Sequence, residues 1–165
     1  MGAGSGRQCC IEIENECATY TFVNPRIYTF SGVCVTPFPP TLAPGASGSA
    51  LFRKKPIIAR GSVGVVTYDL LNKDTNMTAE KIAVMFSAPF NFDFHSNLYA
   101  LGVFDRSKQC DEALYKQMYY EEPPTTFSRQ HADCSCLTYV GDHITIMGTM
   151  SDIHQPVIKV QVSQN

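Results

Sequence analysis

Alternation with a period of two runs through most of this chain and leaves room for little besides extended strands. In Ile11-Glu12-Ile13-Glu14 apolar and acidic side chains take turns, which suits a strand with one face on a core and the other in water. Tyr20-Thr21-Phe22-Val23 repeats the pattern, and Arg26-Ile27-Tyr28-Thr29-Phe30 is expected as a third segment, approached through Asn24-Pro25. From Ile57 to Leu71 a β-branched run is punctuated by Gly61 and Gly64, which predicts a bent or bulged strand lying close to another backbone. Residues 81–86, 99–104, 143–147 and 157–162 add further strands. Pro37, Pro39, Pro40 and Pro44 deny ladder donors between Thr36 and Gly48, so that stretch is expected as a surface loop.

One segment, about residues 110–120, has helical spacing instead. Leu114 and Met118 stand four apart, as do Tyr115 and Tyr119 on a rotated face; Asp111 and Glu112 suit the positive start of a helix, and Pro123-Pro124 is expected to stop it. Many short strands with one helix predict a mainly β fold, a β-sandwich of two packed sheets with one flanking α-helix. The length of 165 residues fits a single domain over residues 7–165, after a flexible Gly/Ser-rich tail at 1–6.

A net charge of -2 offers no broad basic field, so nucleic acid is not an expected partner. No run approaches the roughly 18 apolar residues of a spanning helix, and the first residues lack the apolar stretch of a signal peptide. A soluble protein that associates with its target follows, with a cytosolic form open. Seven cysteines in irregular spacing read as free thiols, and Cys134-Ser135-Cys136 lacks a second ligand pair at zinc-finger distance. No metal or cofactor is expected. Catalysis finds no nucleophile elbow, phosphate loop or His-Glu-x-x-His, and His95 beside Asp93 reads as an ordinary loop pair. Asn76-Met77-Thr78 has the form of a glycosylation acceptor, and Arg53-Lys54-Lys55 reads as a solvated basic turn.

The unusual segment is Pro89-Phe-Asn-Phe-Asp-Phe-His-Ser-Asn97, three phenylalanines spaced by polar residues after a strand. Together with Tyr115, Tyr119 and Tyr120 it supplies rings with polar tips, which suit a membrane interface or a quaternary ammonium.

At these residues the sequence resembles the actinoporin family. Gly61-Ser-Val-Gly-Val-Val-Thr-Tyr68 is similar to its glycine-rich strand, residues 86–97 to its serine-proline-aromatic loop, and Leu114-Tyr-Lys-Gln-Met-Tyr-Tyr120 to its tyrosine-bearing helix. The resemblance runs from about Arg7 to Val162 and is shared by vertebrate actinoporin-like proteins. It implies two five-stranded sheets flanked by two helices, and a phosphocholine pocket for sphingomyelin built from Ser31, Val63, Ser87, Pro89, His95, Tyr115, Tyr119 and Tyr120. It also implies a membrane-contact loop with Phe92, Phe94 and Leu98. The family's loop tryptophans are replaced by Phe94 and Leu98, which predicts weaker interfacial anchoring, and His95 stands where the family has a tyrosine. The family's Arg-Gly-Asp tripeptide is missing near Phe127-Ser128-Arg129.

Upstream of the first strand the family carries an amphipathic helix that self-associates into a pore. Only a few residues precede Cys9 here, so lipid binding without a conducting pore is expected of these 165 residues. Two other functions fit the residues: a carbohydrate-binding module, because fungal fruit-body lectins resemble actinoporins in fold, with a glycan as partner, and an intracellular protein-interaction domain, which free cysteines favour.

Overall fold

A computed structural model of the chain describes residues 7–56, 60–91, 96–123 and 126–165. Strand β1 (Gln8–Asn15) shows how the alternation is used: Cys9, Ile11, Ile13 and Asn15 are buried while Glu12 and Glu14 face water. Asn15 is tolerated inside because its amide donates to the carbonyls of Tyr20 and Leu42, each at 2.9 Å, and its oxygen accepts from the Cys17 backbone. β1 pairs antiparallel with β5 (Ser47–Arg53) and parallel with β12 (Val157–Gln164). Beyond β12 lie β11 (Ile144–Met150) and β10 (Leu137–Val140), and β3 (Val33–Thr36) follows β5, giving a six-stranded sheet.

The second sheet is ordered β4 (Thr41–Leu42), β2 (Tyr20–Ser31), β6 (Ser62–Asn72), β7 (Met77–Ala88), β8 (Leu98–Asp105) and β9 (Phe127–His131). Ile11, Ile13 and Phe52 of one sheet meet Phe22, Tyr68, Phe86 and Leu101 of the other in the main core. Burying each such side chain contributes about 1.5–3 kcal/mol. Residues 62–68 of β6 and 81–88 of β7 are buried on both faces. Their inner face meets the first sheet; the outer face, with Val63, Val65, Ala83 and Met85, lies in a second cluster under helix α1 (Glu112–Tyr120). The double burial accounts for the continuous apolar run in place of alternation.

Asp111 caps α1, accepting from the Leu114 backbone N–H at 3.0 Å. At the other end Arg129 of β9 donates to the carbonyls of Met118 and Glu121, at 2.9 and 2.6 Å, so carbonyls that a helix terminus leaves unpaired find a cation. Leu114 and Met118 are fully buried.

The sandwich with one described helix agrees with the expected fold class. Several details differ. Each sheet has six strands among the described residues instead of the five implied by the resemblance, and α1 starts at Glu112. The segments on either side of Asn24-Pro25 form one strand, β2, because the extra residues are absorbed as a bulge between Val23 and Arg26, where Asn24 takes a left-handed φ of 51°. The proline-rich stretch contains the short strand β4. The tail at 1–6, the strand start at Ile57 and the second proline of the expected helix stop, Pro124, lie outside the described residues.

Arg7, next to β1, is 1% exposed. Its guanidinium donates to the carbonyls of Pro89 (2.7 Å) and His154 and to Asn97 Oδ1. Asn97 in turn donates to the carbonyl of Ile153 at 2.8 Å. One pole of the sandwich is thus tied together by a cation that has exchanged water for main-chain oxygens.

Candidate functional site

The site grows from one row of the second sheet. Ser31 opposes Val63, Val63 opposes Ser87, and Ser87 opposes Leu98, so four neighbouring strands place these side chains on the face that carries α1. A register shift between Thr29 and Ser31 lets Phe30 lie over this face as well. There it stacks on Tyr115 with ring centroids 5.2 Å apart and planes at 22°. Tyr28 flanks Tyr115 at 6.5 Å; Tyr119 follows at 5.6 Å, and Tyr120 closes the series edge-on to Tyr119 at 4.6 Å.

The rings differ in what they offer. Tyr115 is 3% exposed, Phe30 46% and Tyr120 68%; Tyr119 is half-buried. Burial pushes the Tyr115 phenol above the ordinary tyrosine range, and Tyr119, Tyr120 and Tyr28 push the same way. The same desolvation, with Glu112 nearby, raises Tyr28. The accessible part is therefore a shelf made by Phe30, Tyr119 and Tyr120, with Tyr115 as its support.

Beside Phe30 opens a cleft of about 270 Å³ lined by Thr29, Phe30, Ser31, Gly32, Lys55 and Arg60. Gly32 takes φ of 90°, and an added Cβ would come within 2.8 Å of the Arg53 carbonyl, so close chain approach shapes the cleft floor. Aromatic faces at one end and two cations at the other give a surface with two chemically distinct ends.

A family model described as sea anemone cytotoxic protein matches residues 4–164. The chain belongs to that family. Deep-sea actinoporin Cjtox I of Cribrinopsis japonica is 24% identical over 161 residues, covering 98% of this chain and 68% of the relative. DELTA-alicitoxin-Pse1b of Phyllodiscus semoni is 35% identical over 72 residues, 44% of this chain; the match spans only 29% of the alicitoxin's own length. Among solved structures, the lipid binding protein Nakanori superposes with a TM-score of 0.70 at 12% identity, covering 95% of this chain and 71% of its own, which is a likeness of fold.

Within this actinoporin fold the eight pocket residues inferred from the sequence are only partly brought to the surface. Tyr119 and Tyr120 are accessible. Tyr115, expected to offer its face, packs inward because α1 lays it between Tyr28, Phe30 and Tyr119. Val63 at 7% and Ser87 at 4% are floor residues. Ser31 is half-buried, but its hydroxyl donates to the Gly61 carbonyl at 3.1 Å and offers lone pairs only. Pro89 is half-buried with its carbonyl committed to Arg7. Leu98, expected in a membrane-contact loop, instead opens β8 and is 8% exposed, held inside by pairing with Ser87 and His131. Phe92, Phe94 and His95 lie outside the described residues. Lys55 belongs to the basic turn read in the sequence as solvated; Phe30 and Arg60 had no such mark, and Phe30 looked like one more residue of an alternating strand. Phe90, 48% exposed, lies in the loop after β7, next to Pro89. No helix among the described residues is long and apolar enough to cross a membrane.

Proposed function

We propose that this actinoporin-family chain binds membranes by holding a phosphocholine headgroup, of the kind sphingomyelin carries, at the Phe30–Tyr119–Tyr120 shelf. The observation that carries the reading is the run of ring contacts from Phe30 through Tyr115 and Tyr119 to Tyr120, exposed at both ends, with Phe30 itself lining a cleft that holds Lys55 and Arg60. A trimethylammonium group is attracted by the negative faces of the rings, an interaction that reaches about 2 kcal/mol when water is excluded. Its phosphate, a few bonds away, meets the two cations, which replace the serine hydroxyls as the stronger phosphate partners. The names of Nakanori and Cjtox I, a lipid binding protein and an actinoporin, support a lipid partner over a sugar. The reading needs no catalytic step.

Flotation with sphingomyelin vesicles tests the reading. The protein should rise with the vesicles, phosphocholine should compete and galactose should not, and Tyr120→Ala should weaken binding about tenfold or more with an unchanged melting temperature. Binding that is indifferent to both Tyr120→Ala and Phe30→Ala would remove the shelf from the account, and competition by galactose would replace the headgroup by a glycan.

A further inference from the structure

A second pocket lies on the same outer face of the second sheet, at the opposite end of the strands. Along β6 it is centred on Asp69, six residues from Val63, or about 20 Å at the rise of an extended chain. The bulge in β2 makes room for it: Val23 opposes Asp69 and Arg26 opposes Thr67, so Asn24 and Pro25 together oppose Tyr68 alone. Between this bulge and residues 106–110, the approach to α1, is a cavity of about 510 Å³.

Four cations line it, Arg26, Lys81, Arg106 and Lys108, against one carboxylate, Asp69. Lys81 is 4% exposed. It donates to the Lys108 carbonyl at 2.6 Å and stands 3.6 Å from Asp69 Oδ1, which leaves N–H capacity toward the cavity. Asp69 Oδ2 accepts from the Asn24 amide at 3.3 Å, but Oδ1 is buried without a hydrogen-bond donor among the described residues. Arg26, Arg106 and Lys108 form no ion pair with a carboxylate among those residues.

A Lys81–Asp69 pair by itself is what a fold needs to bury a lysine. It does not account for three more cations around the same hollow, which repel one another until an anion enters. Asp69 Oδ1 is buried beside the Lys81 ammonium, so Asp69 holds Lys81 in place and the ligand-facing groups of the hollow are its cations. We propose that this pocket binds a phosphate monoester, whose oxygens lie among Arg26, Arg106 and the Lys81 ammonium, with Asp69 positioning Lys81. The volume is in the range of small-molecule sites. A sugar phosphate in solution and a phosphoinositide headgroup on a membrane share this chemistry.

Titration calorimetry with glucose 6-phosphate, inorganic phosphate and glucose, beside flotation with vesicles containing phosphatidylinositol 4-phosphate or phosphatidylinositol, tests the assignment and separates the two sources. Glucose 6-phosphate or the vesicles with phosphatidylinositol 4-phosphate should bind, as should inorganic phosphate, and their counterparts without the phosphate monoester, glucose and phosphatidylinositol, should not. Arg26→Ala and Arg106→Ala, both at exposed positions, should each weaken binding about tenfold. Absence of binding to both phosphorylated ligands overturns the proposal, as does binding that persists when both arginines are removed. If the arginine variants do not fold, the ligand series on the unaltered protein decides.

Discussion

Tyr115 and Tyr120 carry the same phenol five residues apart, yet one is 3% and the other 68% exposed. Ligand chemistry belongs to the second and stability to the first. The Tyr115 phenol is raised by burial, so the folded protein holds that proton after the unfolded chain has released its own near pH 10. The stability tied to the neutral ring is fully present below that value and falls as pH climbs beyond it, at about 1.4 kcal/mol per pH unit for each proton involved. Cys17, pushed by burial up to about 11, acts in the same direction from a lower onset. Urea midpoints should therefore decline on the alkaline side, and Tyr115→Phe, which keeps the ring stack, should make the decline above pH 10 shallower. An identical profile in the variant would show that the phenol is not held neutral. Helical spacing made Tyr115 and Tyr119 visible in the sequence and Lys55 stood in a basic turn, whereas Phe30 and Arg60 had no local signal, because only the register shift between Thr29 and Ser31 and tertiary approach bring them to the site.

Gly64 shows what positions the shelf at the level of the strands. A Cβ there would stand 2.2 Å from the Tyr28 carbonyl, on the strand that supplies both Tyr28 and Phe30. Gly64→Ala should force β2 away from β6, lower stability by about 1–3 kcal/mol, and weaken vesicle binding along with the melting temperature. Tm and flotation measured together check this, and a variant as stable as the parent would show that the strands can part without cost. Asp111→Ala acts on the other support. Loss of its bond to the Leu114 N–H should cost about 1 kcal/mol and increase amide exchange in the first turn of α1. Gly61 and Gly64 had already marked a close backbone approach in the sequence, and the period of two exposed β1, β11 and β12 as strands. β5 was hidden, since Ser47-Gly48-Ser49 resembles a loop and its buried residues, Ala50 and Phe52, gain their burial from the facing sheet. β2 was read as two segments because the bulge interrupts the alternation at Asn24-Pro25.

Across the whole molecule, Arg7 joins parts of the chain more than 140 residues apart through its bond to His154. Replacement by methionine keeps much of the volume but leaves the Pro89 and His154 carbonyls and Asn97 Oδ1 without that donor. Arg7→Met should lower stability by about 3 kcal/mol or more and raise hydrogen exchange around Asn97 and Ser151; a Tm within a degree of the parent would show that the pole is held by other means. The other long-range join is the parallel pairing of β1 with β12. During synthesis on a ribosome, β1 can find β5 within some forty residues, while the partner for its other edge follows only much later, Cys10 pairing with Val157. Until then the nascent sheet presents an unpaired ladder to any passing strand, so folding of this domain should be slow and sensitive to crowding by its own copies, with chaperone occupancy greatest just before the final strand arrives.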